Sequence, residues 1–267
     1  MAPKIIHYCW FGGKPLPELA VKCIDSWKKY FPDYEIRKWD ESSFDINCCA
    51  YVREAYEAEK WAFVSDYARF WILYHEGGIY FDTDVETLQS FGDILEEGAF
   101  MGCESQNTVA PGLGLGAAPG LTLYREMLEF YEGKRFLTEE GKPDTTTVVT
   151  YMTELLRRKG FRGDGSIEFI DGIRIYPKEY FCPLDYDTGK MEITQRTHSI
   201  HYYNASWLTE EERRVHRTEL LLKKRFGGWM GKVYRFPYRV KWKIRDVGLG
   251  GAMMLIIEKI KGRLSGG

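Results

Sequence analysis

The 267-residue sequence carries six cysteines (Cys9, Cys23, Cys48, Cys49, Cys103, Cys182), but none form a Cys-x-x-Cys pair or a Cys/His spacing suited to zinc. Neither a metal finger nor a disulfide framework is indicated, and a reducing cytoplasm is the expected setting. Long apolar runs are also missing. The stretch from Val247 to Ile257 contains three glycines, and at eleven residues falls well short of the roughly twenty that span a bilayer. The start, Lys4-Ile5-Ile6-His7-Tyr8, lacks the charged start, apolar core and small-residue cleavage site of a signal peptide, so export is not expected. Internal repeats and low-complexity tracts are absent too, which excludes solenoid and disordered classes.

What is present suits a folded domain. Hydrophobic residues make up 44% of the chain, enough to bury a substantial core, and the aromatic share of 15% suits either that core or a pocket that stacks flat ligands. The net charge of −2 hides an asymmetry: residues 1–208 carry 22 Lys and Arg against 33 Asp and Glu, and residues 209–267 carry 15 against 6. A basic carboxyl-terminal segment suits an anionic lipid or phosphorylated carrier, or is simply a solvated face. No nucleic-acid partner is expected.

Periodicity gives the organisation. Residues 4–9 form an apolar run halted by Phe11-Gly12-Gly13 and Pro15, and read as a buried strand. From Pro17 to Tyr30, Leu19, Ala20, Cys23, Ile24 and Trp27 recur at helical spacing, and Pro32 stops the helix. Tyr34 to Trp39 alternates as a strand, completing the βαβ order of a parallel sheet. Residues 62–76 have helical spacing and end at Gly77-Gly78, directly before a short strand, Ile79-Tyr80-Phe81. Glycines 112, 114, 116 and 120 suggest a flexible stretch. Helices at 121–132 and 144–159 alternate with strands near 167–170, 173–176 and 198–202. From Glu210 the chain reads as helical, with a break at Gly227-Gly228 and an interfacial helix over Met253–Leu264.

Chemistry concentrates at Asp82-Thr83-Asp84. Two aspartates in a turn are by themselves as readily a cap or a solvated loop. Placed where a strand leaves the sheet, behind Gly-Gly and with Glu86 beyond, they form a pair suited to a hard divalent cation that also contacts a diphosphate. Asp66 and Arg69, three apart on the preceding helix, share a face and can address one ligand. The carboxylate would accept from sugar hydroxyls, and the guanidinium fork would bind phosphate or hydroxyls. Late in the acidic part, His198 to Trp207 gathers His201, Asn204, Ser206 and Trp207 after a short strand; His201 is either a further metal ligand or a structural histidine buried among tyrosines.

Three segments, IIHYCWFGG, SDYARFWILYHEGGIYFDTDVE and HYYNASW, resemble glycosyltransferase family 32 over about residues 3–207. That family includes capsular polysaccharide sugar transferases and initiating mannosyltransferases, and is similar in core motifs to glucosylating bacterial toxins. The resemblance implies a GT-A fold, a mixed and mainly parallel α/β sheet flanked by helices. It also implies a nucleotide-sugar donor, Mn²⁺ or Mg²⁺, and retention of anomeric configuration. It makes Trp10 a stacking partner for the base, with core filling as the alternative, and makes Asp66 and Arg69 donor-sugar binders. Asp82 would contact donor ribose or sugar, Asp84 the metal, and Asn204, Ser206 and Trp207 would close over the diphosphate, with His201 completing the shell.

The expected organisation is a catalytic domain over 1–207 and a helical, basic extension over 208–267 packed on it and able to meet an anionic membrane. A UDP-sugar is the expected donor, with GDP-mannose the alternative, and a glycan or polyprenyl-linked saccharide is the expected acceptor in capsular or surface polysaccharide synthesis. Two other classes stand against this. Tyr80 to Val85 also resembles the Asp-x-Asp strand of haloacid-dehalogenase-type phosphatases, although a motif placed after eighty residues and without a downstream Lys and acidic partner fits them poorly. A non-catalytic carbohydrate-binding protein is the other.

Overall fold

A computed structural model of the chain describes residues 2–185, 188, 190–204, 210–242 and 244. Ser206, Trp207 and the helix expected over Met253–Leu264 lie outside these. The chain divides into two compact units, Met1–Leu184 with Met191–Trp207, and Asp185–Lys190 with Leu208–Gly267.

The first unit opens with β1 (Ile5–Cys9), α1 (Glu18–Tyr30) and β2 (Glu35–Trp39), in the expected βαβ order. Next come α2 (Ala50–Glu57), α3 (Trp61–His75) and β3 (Gly78–Tyr80). Then follow β4 (Val85–Thr87), α4 (Gly92–Glu96), β5 (Phe100–Ser105), β6 (Thr108–Val109) and β7 (Leu115–Ala117). The unit closes with α5 (Thr122–Glu132), α6 (Val148–Arg158), β8 (Glu168–Ile170), β9 (Ile173–Tyr176) and β10 (Ser199–His201). An eight-stranded sheet runs in the order β2-β1-β3-β7-β5-β9-β8, with β6 on β5. β1 is parallel to β2 and β3, and β5 to β9, whereas β7 is antiparallel to both β3 and β5. Five strands therefore share one direction and β6, β7 and β8 oppose it, a mixed and mainly parallel α/β sheet.

Alternation along each strand feeds two cores. Ile6, Tyr8, Ile79, Phe81 and Phe100 face Cys23, Ile24 and Trp27 of α1 and the rings of Phe91 and Phe181. Cys9, Tyr80, Met101 and Cys103 face Val64, Ala68, Leu123, Met127 and Met152 of the helices on the other side. With both faces covered, the strands read as apolar runs rather than as half-polar ones.

Residues 112–117 correct one expectation. They are not a flexible stretch: they are buried, and β7 pairs with β3 at Gly78↔Ala117, Ile79↔Gly116 and Tyr80↔Leu115. A Cβ on Gly116 would fall on the Phe100 ring, and one on Gly112 would fall on the Asp82 carboxylate. Close approach, rather than freedom, selects glycine there.

In the second unit α7 (Glu210–Phe226) ends at Gly227, whose φ of +90° breaks the helix, and the chain is helical again over 228–242. Glu219 accepts from Lys223 at 3.0 Å and from Arg235 at 2.7 Å, and Lys241 reaches Glu211 at 2.7 Å, so the two helices form an antiparallel hairpin.

Beneath the first sheet, His7 is wholly buried. Its Nε2 donates to the Gly77 carbonyl at 3.0 Å, and its Nδ1 accepts from the Trp39 indole at 3.0 Å, which fixes a neutral ring. Burial pushes its pKa down to about 4 from the ordinary 6.5. Protonation therefore favours the unfolded chain. The stabilisation is complete above pH 6.5 and is lost as pH falls towards about 4, a difference of about 3 kcal/mol. Denaturant titrations at about pH 7.5 and about pH 4.5 should show the native chain losing about 3 kcal/mol more than the His7→Gln variant over that interval. Equal losses would contradict the assignment.

Candidate active site

The carboxyl ends of β1 and β3 lie side by side, because Ile6 pairs with Ile79 and His7 with Tyr80. Open α/β sheets present ligands at this edge. α3 delivers its side chains to the same place because it ends one turn before β3. Gly77 and Gly78 both take positive φ, and a Cβ on Gly78 would stand 2.6 Å from the Ile5 carbonyl. The chain then leaves the sheet through Asp82, whose amide donates to the Gly112 carbonyl at 3.2 Å.

On the α3 side the expected i,i+3 pair is present and buried, with Asp66 7% and Arg69 3% exposed. Arg69 Nη2 lies 2.8 Å from Asp66 Oδ1 and 3.4 Å from Asp82 Oδ1, and its Nε donates to the Ser65 carbonyl at 3.0 Å. The guanidinium lies over the Tyr80 ring, and the Tyr80 hydroxyl donates to Asp82 Oδ1 at 3.1 Å. Two carboxylates thus share one cation. Burial lifts Asp66 to about 6 against the pull of Arg69, and lifts Asp82 as well, with Asp84 adding to the rise.

Asp84 belongs to a second cluster, built by the short β4–β10 ladder in which Val85 faces His201. α1 pins that ladder: the Trp27 indole donates to the Val85 carbonyl at 2.8 Å, and Ser26 Oγ accepts from the Thr87 amide at 2.9 Å. His201 Nε2 lies 3.1 Å from Asp84 Oδ1, and the Asn204 amide donates to Asp84 Oδ2 at 2.8 Å. Burial opposes both charges, but the pairing wins, so Asp84 sits below the usual carboxylate range and His201 above the usual imidazole range. His201 Nδ1 is buried without a hydrogen-bond partner. The Tyr203 ring packs against the imidazole, at 4.4 Å between ring centroids.

One ligand atom from each of Asp82, Asp84 and His201 lies within 4.8 Å of the others. Two carboxylate oxygens and an imidazole nitrogen fit a divalent cation. Trp10 follows the end of β1 half-buried, its indole donating to the Lys14 carbonyl at 2.5 Å. Asn204 contributes its backbone amide. Glu86 is turned away, taken up by Lys22 at 2.7 Å and by the Tyr202 hydroxyl.

Three further residues belong to the site and escaped sequence reasoning. Tyr80 read as part of a short apolar strand, but its hydroxyl reaches Asp82. Gly112 read as loop. Glu104, near the end of β5, is half-buried and held above the usual carboxylate range by burial, with the His201 charge acting against the rise. Its strand parity puts it on the face of Phe100 and Gly102, the only signal available beforehand.

Residues 17–101 match the family described as glycosyltransferase sugar-binding region containing DXD motif. The enzyme class is glycosyltransferase. The match runs from α1 to the first two residues of β5 and includes Asp66, Arg69, Asp82 and Asp84. The matched region is one of glycosyltransferases and not of phosphatases. A solved structure described as PaToxG Glycosyltransferase shares 20% identity over 58% of this chain and 69% of that chain, with a TM-score of 0.38, a distant likeness. No curated protein matches.

Gly112 offers a test of the geometry. A methyl group there would fall on an Asp82 carboxylate oxygen and must displace it, with Arg69 Nη1 the next side chain at 3.6 Å. Gly112→Ala should lower turnover by about a hundredfold, as ångström-scale misplacement does, in protein that still unfolds cooperatively. Unchanged turnover would show that the position of Asp82 is not critical.

Proposed function

We propose that the chain moves a hexose or N-acetylhexosamine from a nucleotide-sugar, with a UDP-sugar ahead of GDP-mannose, to a glycan or lipid-linked saccharide, with retention of configuration. Capsular or surface polysaccharide synthesis is the setting this suits. The observation that carries the reading is the Asp82, Asp84 and His201 cluster at a sheet edge, within and beside the region that matches glycosyltransferases.

Asp82, Asp84 and His201 would hold Mn²⁺ or Mg²⁺. When bound, the cation supplies Lewis-acid stabilisation of the charge that grows on the departing diphosphate. The rest falls to the chain. Arg69 is a positioning residue whose contacts with Asp66, Asp82 and Ser65 fix the acidic face. Asp66 and Asp82 offer acceptors to sugar hydroxyls, and Trp10 a face for the base. The Asn204 amide orients Asp84, while Ser206 and Trp207 are proposed to close over the diphosphate and exclude water. In the transfer, the bond from the anomeric carbon to the leaving phosphate oxygen breaks. A bond to the acceptor hydroxyl oxygen forms on the same face, and the hydroxyl proton passes to the leaving phosphate. No side chain is assigned as nucleophile.

Calorimetric titration with UDP, GDP and their sugars, with Mn²⁺ or with EDTA, tests the reading. One nucleotide should bind only with metal, and Asp84→Ala should weaken it by at least about a hundredfold, more than loss of an outer-shell partner does. Because Asp84 and His201 hold a proton between them, cation binding should release protons and strengthen as pH rises. Folded, metal-loaded protein that binds no nucleotide would overturn the proposal.

A further inference from the structure

The hairpin of the second unit uses one side of each helix on itself. Glu219 is shared by Lys223 and Arg235, and a Cβ on Gly231 would run into the Lys223 stem, which shows how closely the helices approach. The rings of Tyr234, Tyr238 and Trp242 follow one another along the 228–242 helix, tilted to each other, with centroids 5.5 Å and 6.0 Å apart. The opposite face of that helix is apolar and open. Trp229 is 62% exposed, Val233 60% and Phe236 67%, and their spacing of four and three residues puts them in one stripe. Exposed apolar stripes of this kind mark interaction sites.

The charge around the stripe says what would cover it. Lys232 and Arg239 are exposed beside it, and Arg214, Arg217 and Lys224 form an exposed row along α7. Among the described residues no carboxylate pairs with any of these five cations, whereas Glu211 and Glu219 are used up within the hairpin. The stretch 209–267 carries 15 basic against 6 acidic residues, so a second copy seated on this face would meet like charge. No described helix is long and apolar enough to cross a membrane. An indole and a phenyl ring with lysine and arginine at their flanks are the composition of a helix lying in a lipid–water interface.

We propose that the second unit docks on an anionic lipid surface, with Trp229, Val233 and Phe236 entering the headgroup boundary and the flanking cations meeting lipid phosphates. This inference stands apart from the sugar-transfer reading and fails or holds independently of it.

The full chain is sedimented with vesicles of phosphatidylcholine alone and of phosphatidylcholine mixed with phosphatidylglycerol. Two variants are compared, Trp229→Ser with Phe236→Ser, and Lys232→Glu with Arg239→Glu. All four positions are exposed, so both variants should melt as the native chain does. Binding should require phosphatidylglycerol, fall with salt, and weaken at least about tenfold in each variant. The proposal is overturned if the native chain stays in the supernatant with anionic vesicles, or if both variants bind as it does. A dimer that the aromatic variant dissolves, with no vesicle binding, would overturn it in favour of an interface between copies.

Discussion

The buried guanidinium of Arg69 sets the terms for the rest of the site. A charge taken out of water at this depth costs several kcal/mol unless it is paired, and here two carboxylates and a backbone carbonyl surround it. Each partner comes from a fixed element. Asp66 and Ser65 belong to α3, and Asp82 to the exit of β3, so the ion pair bonds the helix to the strand end that it precedes. Removing either acid would leave the cation short of a partner, and removing the cation would leave two acids facing one another. Such a cluster is a demanding way to stabilise a fold. It is an effective way to hold two acceptors at a sheet edge.

Asp84 is governed by different contacts two residues later. The turn from Asp82 to Val85 hands the chain from the main sheet to the β4–β10 ladder, where α1 supplies the anchoring bonds through Trp27 and Ser26. Asp82 therefore answers to α3, and Asp84 to His201 and the Asn204 amide. Opposite shifts follow: burial raises Asp82 against the pull of the shared Arg69, and a dedicated histidine lowers Asp84 against burial. Burial thus favours the neutral form of one acid, and pairing the ionised form of the other.

Much of this was legible in the sequence wherever periodicity ran long enough. α1 and α3 announce themselves by three- and four-residue spacing and by the breakers that end them, and the strand before Asp82 follows from Gly77-Gly78. Neither the three-residue ladder joining Ser199 to Thr87 nor the strand β5 leaves such a trace, since pairing across so much chain has no local pattern. Glu104 stayed hidden with its strand. The error over residues 112–117 has a plain cause: glycine signals either freedom or crowding, and only the neighbouring Asp82 carboxylate and Phe100 ring decide which. Asp66 and Arg69 were readable as a pair, but their burial was not.

The account rests on Asp82, Asp84 and His201 acting together on one cation beside a nucleotide. A crystal structure of the full chain with Mn²⁺ and UDP, read by anomalous scattering at the manganese edge, tests this most directly. The predicted result is a peak at ligand distance from oxygens of Asp82 and Asp84 and a His201 nitrogen, next to the diphosphate. An ordered nucleotide with the Asp84–His201 pair still closed and manganese elsewhere, or nowhere, would contradict it.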